Sequence, residues 1–490
     1  MKKRIEAILV CILLIVSSLI IVFPVESVNV NGNTLYVGGS GLGNYTKIQD
    51  AIDASSDGDT VYVYSRTYFE NVIVYKSISL VGEDRNTTVV DGGGHNDTIC
   101  ILSDSVNISG FMITNSGYNW YSDAGIDVHS NSNTIMYNNI VSHQENGIKI
   151  WSSYSKVYKN IISNVPKGII TNSARNNLIS DNLIFKATSS GIYFAHLSQN
   201  NIAYENFIYD SNKAVEITES NCNIVCDNYA EHNDEGMFLW DCKWNVIRDN
   251  TFSNSSFASM EMNTNAFDNI IFHNNIINKL CYDLTGGNYW YREYPLGGNY
   301  WSDYFDGADD YHGPNQNLTG GDGIWDDPYI VSGSGNIDRY PFAIPNGWKD
   351  HIYGSNLECF GSLVWNSVKP GSINNNTIFI VNIGDYSSNL NWEIVEWPSW
   401  GTLTFTPSNG NNLKPEDGMT SVQVSVVAPN EPKKTYTGEI KIVNKEDSND
   451  FRSIQVSLTT SKAKGTNIPL FLQKFFQHFP IFEKILKQYY

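Results

Sequence analysis

Apolar and polar positions alternate along most of this chain with the period of a strand, and Asn and Gly interrupt the alternation every few residues. The stretch NNIAYENFIYDSN, residues 200–212, is typical: no 3.6-residue apolar stripe fits it, and it is too polar to span a membrane. Aligning GIDVHS, GIKIWS, GIITNS, GIYFAH, AVEITE, GMFLWD and SMEMNT exposes a repeat. Its starts are Gly125, Gly147, Gly168, Gly191, Ala214, Gly236 and Ser259, spaced by 22, 21, 23, 23, 22 and 23 residues. A second file follows each start, with Asn at Asn139, Asn160, Asn182, Asn206, Asn228, Asn250 and Asn275.

Short strands repeating near 22 residues predict an all-β solenoid in which each repeat is one turn of a parallel β-helix. A leucine-rich repeat has a similar period, but its Leu pattern is absent. Equivalent residues then stack about 4.8 Å apart, close enough for Asn side chains to hydrogen-bond along the stack. Asn also tolerates the left-handed backbone of a tight corner. Asn206 is therefore expected at a corner, with Ile202, Phe207 and Ile208 in the walls. Lys47 to Ala54 predicts a short helix closing the open end of the first turn.

Other segments change character. From about Ser355 the Asn file stops, and TIFIVNI, NLNWEIV, LTFTP, SVQVSVVA, TGEIKIVN and SIQVSLTT follow between turns. They predict an antiparallel β-sandwich. Five segments result: 1–27, 34–286 (solenoid with capping helix), 287–345 (an acidic Gly/Tyr/Trp-rich cap), 355–462 (sandwich) and 466–490. In the first, three basic residues precede an apolar run from about Ala7 to Phe23. This is an export signal, either cleaved near Ser27 or kept as a membrane anchor. The last is aromatic and amphipathic, with Lys474, Lys484 and Lys487 among its apolar residues and Pro480 interrupting it. It is too charged to span a bilayer. It suits contact with a membrane or cell wall, or docking on the sandwich, or oligomerisation.

Composition narrows the partners. The 490 residues are 17% charged with a net charge of -19, which repels a phosphate backbone and argues against nucleic acid. Cys100, Cys222, Cys226, Cys242, Cys281 and Cys359 are scattered without a CxxC. Disulfides and buried free thiols both remain open. Seven glycosylation sequons begin at Asn44, Asn86, Asn96, Asn107, Asn254, Asn317 and Asn375, in keeping with a glycosylated surface protein.

The opening run YTKIQDAIDASSDGDTVYV, then SISLVGEDRNTTVVDGGG, VNISGFMI and the 22-residue turns, resembles the NosD-type right-handed β-helix family over about residues 34–343. That family sits in a wider carbohydrate-binding and sugar-processing β-helix group that includes the pectate lyases. The resemblance implies a right-handed parallel β-helix and, more weakly, a glycan partner. The family name is tied to copper-site assembly, for which this chain offers no His/Met/Cys cluster. The run WGTLTFTPSNG with VQVSVVAP, YTGEIKIVN and IQVSLTT is similar to Ig-like accessory domains of the BACON type, which are associated with glycan binding or spacing.

Candidate chemistry follows from the repeat. Alternation points Ile126, Ile148, Ile192, Val215 and Met237 inward, so Asp127, Lys149, Ile170, Tyr193, Glu216, Phe238 and Glu261 form an outward file. Two residues on, His129, Trp151, Asn172, Ala195, Thr218, Trp240 and Asn263 form another. Trp151, Tyr193, Phe238 and Trp240 among carboxylates suit a polysaccharide platform; the competing reading is plain surface cover. Glu216 and Glu261, two turns and roughly 9.6 Å apart, fall in the range of an inverting glycosidase. GIDVHS, with Asp127 and His129, resembles the D-P-H strand of mannuronan epimerases, except that Val128 replaces the Pro. A third use of the fold is purely structural. In the acidic cap, Asp306, Asp309, Asp310, Asp322, Asp326 and Asp327 are candidate Ca²⁺ ligands on a Gly-rich loop; a solvated acidic loop is the alternative.

Overall fold

The computed structural model describes residues 32–119, 123–305, 307–350, 354–385 and 387–462. The segments 1–27 and 466–490, with Asp306, lie outside them. The fold class is the expected one: a parallel β-helix followed by antiparallel sheets. Among the described residues one wall is an eleven-stranded parallel sheet running from Thr34–Val37 to Ile270–Phe272. A twenty-stranded sheet forms the other two walls, joined where Ile161–Asn172 and Leu183–Ala195 bend from one into the next. The bend explains the Gly file: a Cβ on Gly168 would sit 2.4 Å from the Gly191 carbonyl oxygen of the next turn.

The helix is Ile48–Ala54. Its first amide groups lack intrahelical acceptors; the Glu70 carboxylate takes those of Ile48 and Gln49 at 2.9 and 3.1 Å. Ile48, Ala51 and Ile52 are buried against the first turn.

The Asn file is a ladder, displaced by one residue from the expectation at both ends. It runs Asn138, Asn160, Asn182, Asn206, Asn228, Asn250, Asn274 and Asn299. At each step a backbone amide and a side-chain amide both donate to the next Oδ1. These Asn residues are not the left-handed ones. The positive φ falls one position earlier, at Glu205 (52°) and Asp227 (56°), for example. Ile208 is an inward wall residue, whereas Ile202 and Phe207 face outward. A second ladder that the repeat alignment missed passes through Asn133, Ser155, Asn177, Asn201, Asn223, Asn245, Asn269 and Asn288.

Each ladder would leave its last amide unsatisfied, and a buried carboxylate ends it. Asp283 accepts from Asn288 and from the Trp290 indole, and Asp338 from Asn299 and the Trp301 indole. The segment after the solenoid thus seals its core with Trp290 and Trp301.

The C-terminal unit pairs a four-stranded sheet with a five-stranded one around Trp392, Leu363, Ile440 and Val424. It does not stand off as a spacer. Its Phe360, Val381, Ile383 and Met419 pack on Ile202, Ile224, Val246 and Ile270, the outward file of the eleven-stranded wall. Arg292 of the cap pairs with the buried Glu358, which also meets Arg452 at 3.2 Å. All six described cysteines are free thiols.

Candidate functional site

Strand pairing sets the two outward files in register. Cys100, Asp127, Lys149, Ile170, Tyr193, Glu216, Phe238, Glu261 and Tyr282 succeed one another along one wall. Beside them run Asn172, Ala195, Thr218, Trp240 and Asn263. The candidates separate into two clusters.

In the first, Asp127 is buried and its Oδ2 lies 3.0 Å from His129 Nε2. The exposed Trp151 stacks on the His129 ring at 6.2 Å, and Lys149 Nζ lies 4.5 Å from the Trp151 ring centre. Asp97, which sequence reading did not pick out, receives the Ala124 amide. Burial, then the neighbouring Asp127 charge, push its carboxyl up to about 7. Burial pushes Asp127 up as well and Lys149 down.

In the second, Glu216 sits between Tyr193 and Phe238 on adjacent turns. It accepts from Ser190 Oγ and lies 3.6 Å from Lys213 Nζ. Lys213 in turn lies 4.4 Å from the Phe238 ring centre. Glu261 accepts from Asn263 at 3.0 Å. Sequence reading missed Glu235, which pairs with Lys213 across the strands. Its Oε2 is buried without a hydrogen-bond partner, and burial raises its carboxyl to about 7 against the opposing Lys213 charge. The signal that marks it is a carboxylate immediately before the bend Gly236.

Among the described residues, the carboxylates of the acidic loop turn to backbone amides. Asp309 accepts the amides of Asp322 and Gly323, and Asp326 those of Asp310 and Tyr311. Asp322 accepts from Ile324, while Asp327 is exposed. The accepting oxygens of Asp309, Asp322 and Asp326 fasten the loop to itself, and among the described residues no group of three His, Cys, Asp or Glu side chains is placed to hold a metal. Also among the described residues, no helix is long and apolar enough to cross a membrane.

The raised carboxyls make stability depend on pH. Burial lifts Asp97, Asp227, Glu235 and Asp338 to about 7. The folded state therefore holds protons that the unfolded chain has already released, and their contribution is lost as pH rises from about 4 to about 7. His143 opposes them, since burial lowers it to about 4 and its contribution is lost as pH falls below about 6.5. Four groups outweigh one. The thermal midpoint, followed by circular dichroism, is expected to be higher at pH 5 than at pH 8; the reverse order would show these carboxyls ionised in the fold.

A stacked solenoid with a ring-and-carboxylate outer wall is a right-handed β-helix protein of the kind that presents long side-chain files to solvent. The chain belongs to the family described as periplasmic copper-binding protein (NosD), which matches residues 52–305, just over half its length. A cell surface glycoprotein of Methanothermus fervidus is 30% identical over 305 residues, covering 50% of this chain and 51% of the relative. The chain thus spans about half the length of that relative. Among solved structures, the enzymatically active domain of bacteriophage CBA120 tailspike protein 2 aligns with a TM-score of 0.41 at 10% identity. That alignment covers 89% of this chain and 77% of the tailspike chain. An alginate lyase from Paenibacillus sp. aligns at 0.35 and 12%, over 55% and 97%. At such distances no substrate transfers to this chain.

Copper does not fit the described residues. The soft donors that stack together, Met237, Met260 and Cys281, point into the sealed core, and burial holds the Cys281 thiol well above its usual range. No step through copper follows.

Proposed function

We propose that this is an exported cell-surface protein that binds polysaccharide along the outer wall of its solenoid. One observation carries the reading: Tyr193 and Phe238 flank Glu216 in one file while Trp240 stands between Thr218 and Asn263 in the next. Ring faces take the apolar faces of sugars, and the carboxylates and amides beside them take hydroxyls. Trp151, four turns before Trp240, extends the platform to about 19 Å. The name of the Methanothermus relative and the apolar run near the N-terminus support a place at the cell surface.

A second reading, cleavage of the bound glycan, has its own observation in Glu235. A carboxyl held protonated near neutrality beside Glu216 and Glu261 is what a general acid needs, with a second carboxylate serving as base or nucleophile.

One experiment separates these. The protein is incubated with a polysaccharide panel, and both retention and new reducing ends are measured. Trp151→Ala and Trp240→Ala are each expected to weaken retention about tenfold. Unchanged retention in both would remove the outer wall from binding. Reducing ends that appear with the parent protein and vanish in Glu235→Gln would establish the second reading; their absence would leave binding alone.

A further inference from the structure

The sandwich covers only part of the wall it packs on, and a groove remains along the line where the two meet. One cavity of 800 Å³ and another of 680 Å³ share Trp244, Ser362 and Val364, so the groove is continuous. We propose that this groove is a saccharide-binding site, separate from the outer wall, that takes a linear uncharged oligosaccharide lying along the solenoid axis.

The floor is built by the second Asn ladder. The residue before each ladder position is held in the left-handed conformation: Tyr154 (φ 63°), Asn176 (57°), Asn200 (56°), Trp244 (61°) and Asp268 (56°). Ser155, Asn177, Asn201, Asn245 and Asn269, the ladder residues that follow, are buried, and Tyr154, Asn176, Asn200, Trp244 and Asp268 line the cavities. Tyr154 and Trp244 are four turns apart, about 19 Å. Tyr289 lies two turns beyond Trp244, in the neighbouring file of Val246 and Ile270. Tyr154 and Tyr289 are 62% and 53% exposed, so their rings are open to a ligand. Between the rings lie side-chain amides, Asn176 and Gln199 on the solenoid and Asn376 on the sandwich.

Rings at intervals with amides between them match a chain of sugars, whose apolar faces and hydroxyl edges alternate. Charge selects further. The lining carries Arg175, Arg292 and Arg452 against Asp268, Glu293 and Glu358. Three of each leaves the groove neutral on a chain of net charge -19. An anionic glycan, repelled by the whole protein, gains no compensating basic patch here.

The test is calorimetry on the full chain with cellohexaose, maltohexaose and chitohexaose as uncharged probes and hexagalacturonate as the charged one. At least one uncharged hexasaccharide is expected to bind. Tyr154→Ala and Arg175→Ala, both at exposed positions, are expected to weaken it about fivefold or more, in the parent and equally in a Trp151→Ala background that disables the outer wall. The proposal is overturned if none of the three binds at millimolar concentration, or if hexagalacturonate binds more tightly than they do. It is equally overturned if binding ignores the two groove variants, including the case where it responds to Trp151→Ala instead, which would assign the ligand to the outer wall.

Discussion

Replacing Asn228 by Ala is expected to destabilise the protein by about 3–5 kcal/mol, measured by urea or thermal unfolding. Asn228 Nδ2 donates to the carbonyls of Ala203 and Cys226 and to Asn250 Oδ1, each at 2.9 Å. Its own Oδ1 receives the backbone and side-chain amides of Asn206. The substitution strands several buried polar groups at once, each at a cost of about 1–3 kcal/mol before any relaxation. In a stack the loss is shared by the turns above and below, so the estimate stays well under the simple sum. Asn86, exposed, outside both ladders and not in the left-handed region, is the control; its Ala variant is expected to fall within about 0.5 kcal/mol of the parent. A loss at Asn228 below about 1 kcal/mol would mean that the ladder is tolerated rather than required.

Much of the solenoid was legible because its period is carried by Asn and Gly, which stand out against the walls. The one-residue displacement at Asn139 and Asn275 arose where two Asn residues adjoin: the ladder takes the first of each pair, Asn138 and Asn274, and the second opens the next strand. The second ladder was hidden because Ser155 interrupts it and its residues sit just before three-residue strands that show little alternation. The register of the two files followed from simple alternation: Glu216 pairs with Tyr193 on one side and with Phe238 on the other. Glu235 escaped because alternation fails at the bend before Gly236. The acidic loop is ambiguous in sequence because carboxylates near glycines read equally well as metal ligands or as acceptors for backbone amides; in the fold Asp309, Asp322 and Asp326 accept amides.

Docking of the sandwich rests on a contact that no local pattern announces, since Arg292 and Glu358 are 66 residues apart. Burial alone would raise the Glu358 carboxyl; the Arg292 and Arg452 guanidiniums override it and hold the carboxyl below the usual range. Its side chain is 9% exposed, against 13% for Arg292 and 30% for Arg452. Removing the carboxylate leaves one guanidinium nearly buried and unpaired, which costs about 3–5 kcal/mol for a fully buried pair. The partial exposure of Arg452 discounts this, and Glu358→Ala is expected to lower stability by about 3 kcal/mol. The apolar contacts of Phe360 and Met419 with Ile202 and Ile224 remain, so the sandwich is loosened while each core stays folded. Small-angle scattering should then record a larger radius of gyration, and limited proteolysis should cut near residues 346–356, between the two units. Adding Arg292→Ala removes the stranded charge and is expected to restore part of the lost stability. If Glu358→Ala instead leaves stability, radius and cleavage unchanged, the ion pair is incidental and the apolar file alone holds the sandwich to the wall.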